Sequence, residues 1–337
     1  MHAAGFPGTL LLDRNDIDTL LGLTEYISAV EDAFRAHAQG QSLGTALLDG
    51  HGVGGEFHVK AGGLNMGKRS YFAVKINGGF FANTQNWGLP NILGSIVLCD
   101  AENGYPLALL DSVGITRNRT GAATAVAAKY LARKDSHVAT ICGLGVQGRM
   151  QLMALHQVLP ITRAYAWSIH EREVPVFVRD MSDALGIEIL AAQDLGAAAR
   201  QSDVIVTCTP STKFFLARTH VRPGTFVAAV GADSRHKQEL EPELVASATV
   251  VADILDQSAT VGELHHALDA GLTSREGVHE IGQVIAGMRP GRSTTDEVTI
   301  YDSTGTALQD VAAAALCYEK ARASGTPKYF NLAGAPA

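Results

Sequence analysis

Cysteine is scarce and scattered in this chain. The 4 cysteines, Cys99, Cys142, Cys208 and Cys317, form no C-x-x-C pair, and three fall in or at the ends of apolar strands, as reduced core residues of a cytoplasmic protein would. No H-E-x-x-H is present, and the adjacent His265-His266 would point in different directions on a helix, so no metal site is expected. Basic blocks are also missing. With a formal net charge of -7, nucleic acid is a poor partner. No apolar run is long enough to span a bilayer, and no basic-then-apolar segment opens the chain, so no membrane association is expected. Charged residues are only 18% against 46% hydrophobic. That balance over 337 residues allows a sizeable core and suits two domains of ordinary size.

What is present is organised around His137–Arg149, HVATICGLGVQGR. The apolar run Val138–Cys142 reads as a strand, Gly143-Leu-Gly-Val-Gln-Gly148 as a turn, and Met150–Leu159 as a helix. This is G-x-G-x-x-G in its strand–turn–helix context. Gly143 permits the tight turn, Gly145 lets backbone approach a pyrophosphate, and Gly148 lets helix and strand pack closely. The helix start then offers amide donors and a positive dipole end to phosphate.

On the N-terminal side, a strand at Thr9–Leu12 precedes helices at Asn15–Leu21 and Thr24–Gln39, the latter with Thr24 as its N-cap. The glycine-rich Gly40–Gly55 carries no readable period. Strands follow at Glu56–Ala61, Tyr71–Asn77, Ile92–Cys99 and Pro106–Leu110, separated by glycine, asparagine and proline, as in a mainly antiparallel sheet. An alanine-rich helix, Thr120–Arg133, leads into the glycine turn. From Val138 onward strands and helices alternate, with strands at Arg163–Ser168, Glu188–Ala191, Val204–Cys208, Thr225–Val230, Thr249–Asp253 and Val298–Tyr301. A last helix, Thr306–Ala323, is expected to return to the first domain, followed by a flexible tail. The fold class is therefore α/β: a doubly wound parallel sheet of the Rossmann kind over 122–304, plus a second α+β domain from 1–121 and 305–337.

NAD-binding sheets place an acid at the end of the second strand to accept from the ribose 2′-OH. At the corresponding point this chain has Ser168, with His170 and Arg172 just beyond. Lacking a carboxylate, the site favours NADP(H) over NAD(H), with Ser168, His170 and Arg172 as partners of a 2′-phosphate. The opposing reading turns Glu171 inward and selects NAD.

Five motifs, in order, resemble the ornithine cyclodeaminase/mu-crystallin family. They are Phe72-Ala-Val-Lys75-Ile-Asn, Asp111-Ser-Val-Gly-Ile-Thr-Arg-Asn-Arg119-Thr120-Gly, Gly143-Leu-Gly-Val-Gln147, Val230-Gly-Ala-Asp233-Ser-Arg-His-Lys237-Gln-Glu-Leu240 and Val298-Thr-Ile-Tyr-Asp-Ser303-Thr-Gly305. The resemblance implies a hydride step between nicotinamide and the Cα of an imino or amino acid, in a homodimer built through the N-terminal sheet. It also implies cofactor contacts at Val146, Gln147, Thr120, Thr207, Thr209, Lys237 and Ser303.

That chemistry needs a cationic clamp for the carboxylate and a proton-transfer group near nitrogen. Arg119 is the clamp candidate, because its planar fork binds a carboxylate bidentately; an isolated arginine at a helix start would more often be a surface ion pair. Lys75 shares a strand face with Ala73 and Asn77, and facing inward it needs an anionic partner. Asp233 follows the strand Thr225–Val230, in the crevice where open α/β sheets bind ligands, and is the candidate for proton exchange. In the crystallin branch that aspartate is replaced. Cyclodeaminases carry a further arginine that is absent between Gly40 and Phe57, and Lys60 is the substitute charge; they also carry a glutamate where His58 falls. His58 is either a proton donor or a hydrogen-bonded core histidine. The first reading is an NAD(P)H-dependent imine reductase or amino-acid dehydrogenase. Its rivals are an ornithine cyclodeaminase and a non-catalytic, cofactor-dependent binder of small ligands.

Overall fold

The computed structural model describes residues 8–324 and 328–332, so the expected flexible tail lies outside the described residues. The chain divides into two units, 1–119 with 306–337, and 120–305. In the first unit seven strands form one sheet, ordered Tyr329–Phe330, Thr9–Leu12, Pro106–Asp111, Ile92–Asp100, Ser70–Gly79, Gly55–Asn65 and Ser42–Gly52. Every pairing is antiparallel except Thr9–Leu12 with Pro106–Asp111. Alternation along Ser70–Gly79 buries Tyr71, Ala73 and Lys75 beneath the helix Ala307–Ala323, which also packs against the helix Leu23–Ala38. The opposite face carries Leu11, Ile76, Val97 and Leu109, each more than a third exposed.

Three local expectations change. The glycine-rich stretch is a strand, Ser42–Gly52, joined by a tight turn at Val53-Gly54 to Gly55–Asn65 and paired with it from Thr45–Gly62 to Gly52–Gly55. Gly54 has φ +80°, a conformation that glycine adopts without a Cβ penalty. Ladder bonds rather than residue preference make this a strand. The helix Leu23–Ala38 is capped at Gly22, whose amide donates to Glu25 Oε2 at 3.0 Å; Thr24 lies inside the first turn. The long helix runs Ser112–Leu131, starting well before Thr120, with Asp111 Oδ1 accepting from the Gly114 amide at 2.9 Å. Gly114, Gly121 and several polar residues hide its period from a sequence reading.

The second unit holds an eight-stranded parallel sheet, ordered His279–Glu280, Thr249–Ala252, Thr299–Asp302, Phe226–Ala229, Val204–Thr207, Val138–Cys142, Arg163–Trp167 and Glu188–Ala191, and a separate parallel pair, Thr212–Leu216 with Gln238–Leu240. Numbered from Val138, the first five strands follow the 3-2-1-4-5 order of doubly wound nucleotide folds. The last strand of this unit, Thr299–Asp302, inserts between Phe226–Ala229 and Thr249–Ala252. Val204–Thr207, Phe226–Ala229 and Thr299–Asp302 are buried along their whole lengths, as strands covered on both faces must be.

Candidate functional site

In the second unit the three glycines of the turn have separate constraints. Gly143 has φ +100°, and a Cβ there would meet Cys208 O at 2.8 Å. A Cβ on Gly148 would run into the Gly143 carbonyl, whereas one on Gly145 would meet nothing within 4 Å. Gly145 is also the N-cap of the helix Val146–Val158. The turn is thus closed on its protein side and open at the residue that must admit phosphate, in front of unpaired first-turn amides. These residues fit a dinucleotide.

Ser168 ends the second strand, against the turn: the Gly143 amide donates to Trp167 O at 3.0 Å. Its hydroxyl donates to Glu173 Oε2 at 3.0 Å and accepts from the His170 amide at 3.1 Å. His170 and Arg172 are exposed, and Arg172 is the N-cap of the helix Glu173–Leu185. The strand end itself carries no carboxylate, and it is Glu173 of the following helix, not Glu171, that lies within hydrogen-bond reach of Ser168.

At the carboxyl ends of the fourth and fifth strands a residue missed by the sequence reading holds two loops. Buried Glu239 accepts from the Thr209 amide at 2.6 Å, the Thr209 hydroxyl at 2.7 Å and the Gly231 amide at 2.8 Å. Burial pushes its carboxyl pKa up against the pull of these donors. A Cβ on Gly231 would lie 2.5 Å from Glu239 Cδ, so only glycine fits. Glu263 in turn accepts from the amides of Glu239 and Leu240, and Asp302 from those of Glu263 and Leu264. Three buried carboxylates thus tie the ends of neighbouring strands together. Thr207 and Ser303 are buried, and the Thr209 hydroxyl is spent on Glu239. Asp233 Oδ1 pairs with Lys237 Nζ at 2.6 Å, and His266 Nε2 lies 2.8 Å from Lys237 O.

The first unit concentrates charge beneath its sheet. Lys60 and Lys75 stand directly opposite each other in adjacent antiparallel strands, an arrangement that is destabilising for like charges. Both are buried, at 7% and 2% exposure, as is Arg119 at 4%. From the helix above them Asp310 places Oδ2 2.7 Å from Lys75 Nζ and Oδ1 3.0 Å from Arg119 Nε, and Gln309 Oε1 accepts from Arg119. Asp310 is held below the ordinary carboxylate range: burial pushes it up, but Arg119, Lys75 and Lys60 outweigh that. Lys75 is brought down to about 7 by burial, then by the charges of Arg119 and Lys60, against the opposing pull of Asp310.

Arg119 therefore sits mid-helix and buried, not at a helix start on the surface. Lys60, Lys75 and Arg119 converge on Asp310, while His58, on the same strand face, has its ring nitrogens 2.7 Å from Asp49 Oδ1 and 3.1 Å from Glu56 Oε1. Gln309 and Asp310 were missed. The signal was available: they are a polar pair in the alanine-rich run Ala307–Ala315, where a buried helix face tolerates polar groups only with partners. Among the described residues no cluster of three or more His, Cys, Asp or Glu could hold a metal, and no helix is long and apolar enough to cross a membrane.

A model of the ornithine cyclodeaminase/mu-crystallin family matches residues 8–325. The alanine dehydrogenase of Archaeoglobus fulgidus is 38% identical over 328 residues, covering 96% of this chain and 99% of its own length. An archaeal alanine dehydrogenase dimer with bound NAD superposes with a TM-score of 0.90 at 37% identity, covering 96% of this chain and 99% of that one. The Thermococcus litoralis Delta(1)-pyrroline-2-carboxylate reductase, in complex with NADH and L-proline, superposes with a TM-score of 0.89 at 33% identity, covering 96% and 100%.

Proposed function

The chain belongs to the ornithine cyclodeaminase/mu-crystallin family, and from that premise we propose that it is a nicotinamide-dependent oxidoreductase acting on the C–N bond of a small imino or amino acid, cyclic or alanine-like. The observation that carries this reading is the pairing of Lys60 with Lys75 below Arg119, three buried cations around one carboxylate. A fold optimised for stability alone would not bury like charges face to face. An arriving α-carboxylate makes the arrangement favourable.

In this reading Arg119 and Lys60 hold the substrate carboxylate, which fixes the position of Cα. Lys75 gives a proton to the nitrogen as imine becomes amine and takes it back in the reverse direction. Asp310 orients Lys75 and Arg119, and Asp233, paired with Lys237, is the second candidate for proton transfer. Gly143, Gly145, Val146, Gln147 and Gly148 would hold the dinucleotide, with Thr120, Thr207, Thr209 and Ser303 of the same unit as further candidate contacts. Bound nicotinamide supplies or takes up the hydride. For the nucleotide we assign NAD(H), because the argument for NADP(H) rested on a strand end without a carboxylate, and Glu173 stands there.

The assay is nicotinamide absorbance with cyclic imino acids, and with 2-oxo acids plus ammonia, across pH. Lys75 has a pKa of about 7, so it can donate a proton below that pH and accept one above it. Reduction is expected to slow, and amino-acid oxidation to quicken, as pH rises through about 7, with both lost in Lys75→Met. Ammonia and proline from ornithine without net nicotinamide change would replace this reading with a cyclodeaminase.

We also propose a homodimer through the sheet face on which Leu11, Ile76, Val97 and Leu109 stand exposed together, since clustered exposed apolar residues mark interaction sites. A solution mass of one chain across working concentrations would sink that assignment.

A further inference from the structure

The reading above assigns the nucleotide; the residue that chooses between its two natural forms follows from the hydrogen bonds at the end of the second strand. The 2′ position of the adenosine ribose is read at that strand end in doubly wound sheets, ordinarily by an acid on the strand itself. Here the strand Arg163–Trp167 ends on Ser168, which has no charge of its own. The backbone then turns back at once. The Glu173 amide donates to His170 O at 2.9 Å and the His170 amide to Ser168 Oγ at 3.1 Å, so residues 168–173 form a short hydrogen-bonded arch. The arch brings the Glu173 carboxylate to within 3.0 Å of the Ser168 hydroxyl.

Two consequences bear on a 2′-substituent. A serine hydroxyl has one proton to donate, and Ser168 gives it to Glu173. Toward a ligand it offers only acceptor capacity, which suits a ribose hydroxyl that can donate and does not suit a phosphate. Glu173 adds a negative charge next to the same point, which repels a phosphate dianion. His170 and Arg172 act the other way, since exposed cations attract phosphate. Their side chains are solvent-exposed and screened, whereas Glu173 is half-buried and held by a hydrogen bond.

We propose that Glu173, held by Ser168, selects NAD(H) over NADP(H), supplying from the next helix the acid that the strand lacks. The proposal rests on the nucleotide part of the reading above and not on the choice of imino acid.

The test is direct titration of the full chain with NADH and with NADPH, followed by nicotinamide fluorescence and without substrate. Wild type is expected to bind NADH at least about tenfold more tightly, and Glu173→Gln to close most of that gap chiefly by a gain in NADPH affinity. Ser168→Ala is expected to move the ratio in the same direction by less. Tighter NADPH binding by wild type would overturn the proposal and return the choice to His170 and Arg172. An unchanged ratio in Glu173→Gln, or an equal loss of both nucleotides, would make Glu173 a brace of the helix start and would overturn it too. Failure to reduce any imine while NADH still binds with the expected preference would sink the substrate reading alone.

Discussion

Replacing Asp310 with asparagine is expected to lower folding stability by about 3–5 kcal/mol near neutral pH, the loss associated with removing one partner of a buried ion pair. The reason is the company Asp310 keeps. Lys75 Nζ and Arg119 Nε lie 2.7 and 3.0 Å from its two oxygens, and Lys60 faces Lys75 across the ladder. Without the carboxylate these cations repel each other where water cannot screen them. The pH dependence has a definite sign. The pKa of Lys75 is lowered from 10.5 to about 7, so this group's contribution to stability is present above pH 10.5 and is lost as pH falls through about 7. Asp310 lies below its ordinary 3.8, so its contribution is present above that value and is lost as pH falls through its folded pKa. Removing Asp310 pushes Lys75 down further. The deficit against wild type should therefore be largest at mildly acidic pH, below about 7 but above the folded pKa of Asp310, and shrink toward alkaline pH, where Lys75 is neutral in both proteins. A residue of it should persist, because Arg119 does not lose its proton. Urea melts at mildly acidic and alkaline pH measure this, and a deficit that grows with pH would contradict it.

Arg119→Ala is expected to lower kcat/KM by about 2–5 kcal/mol in transition-state terms, roughly 30- to 5000-fold. The residue is 4% exposed and fixed from two sides, by Asp310 and by Gln309. Its guanidinium is thus pre-oriented, and little freedom is lost when it takes a carboxylate. The loss should fall on substrate and leave nucleotide affinity unchanged, because the glycine turn belongs to the other unit. Steady-state kinetics with nicotinamide titration in parallel separates the two. Unchanged turnover in a folded protein would mean that the clamp lies elsewhere.

The two units differ in how far their candidate residues can be read from the sequence. The glycine turn is local: a strand, three glycines and a helix start within a dozen residues, where the roles of Gly143, Gly145 and Gly148 follow from backbone geometry that spacing already implies. Alternation puts Lys75 on one face with Ala73 and Asn77, but only the packing of Ala307–Ala323 against that strand makes this face the buried one. Arg119 and Lys60 became candidates only through resemblance to a family, since nothing in their own neighbourhoods separates a buried clamp from a surface charge. The start of Arg119's helix was misplaced because Gly114 and its polar neighbours mask the period, and tertiary packing overrides their weak propensity.

What the sequence determined by itself was the strand–helix alternation after Val138, the doubly wound sheet and the nucleotide turn, all properties of residues near one another in the chain. Only the tertiary structure decided which charges meet. Asp310 reaches Lys75 and Arg119 across some two hundred residues of sequence, Glu239 reaches Thr209 from the far side of a strand, and Glu173 returns to Ser168 over an arch that no periodicity announces. Electrostatic partners are chosen by distance in space and by burial, and a linear pattern carries neither.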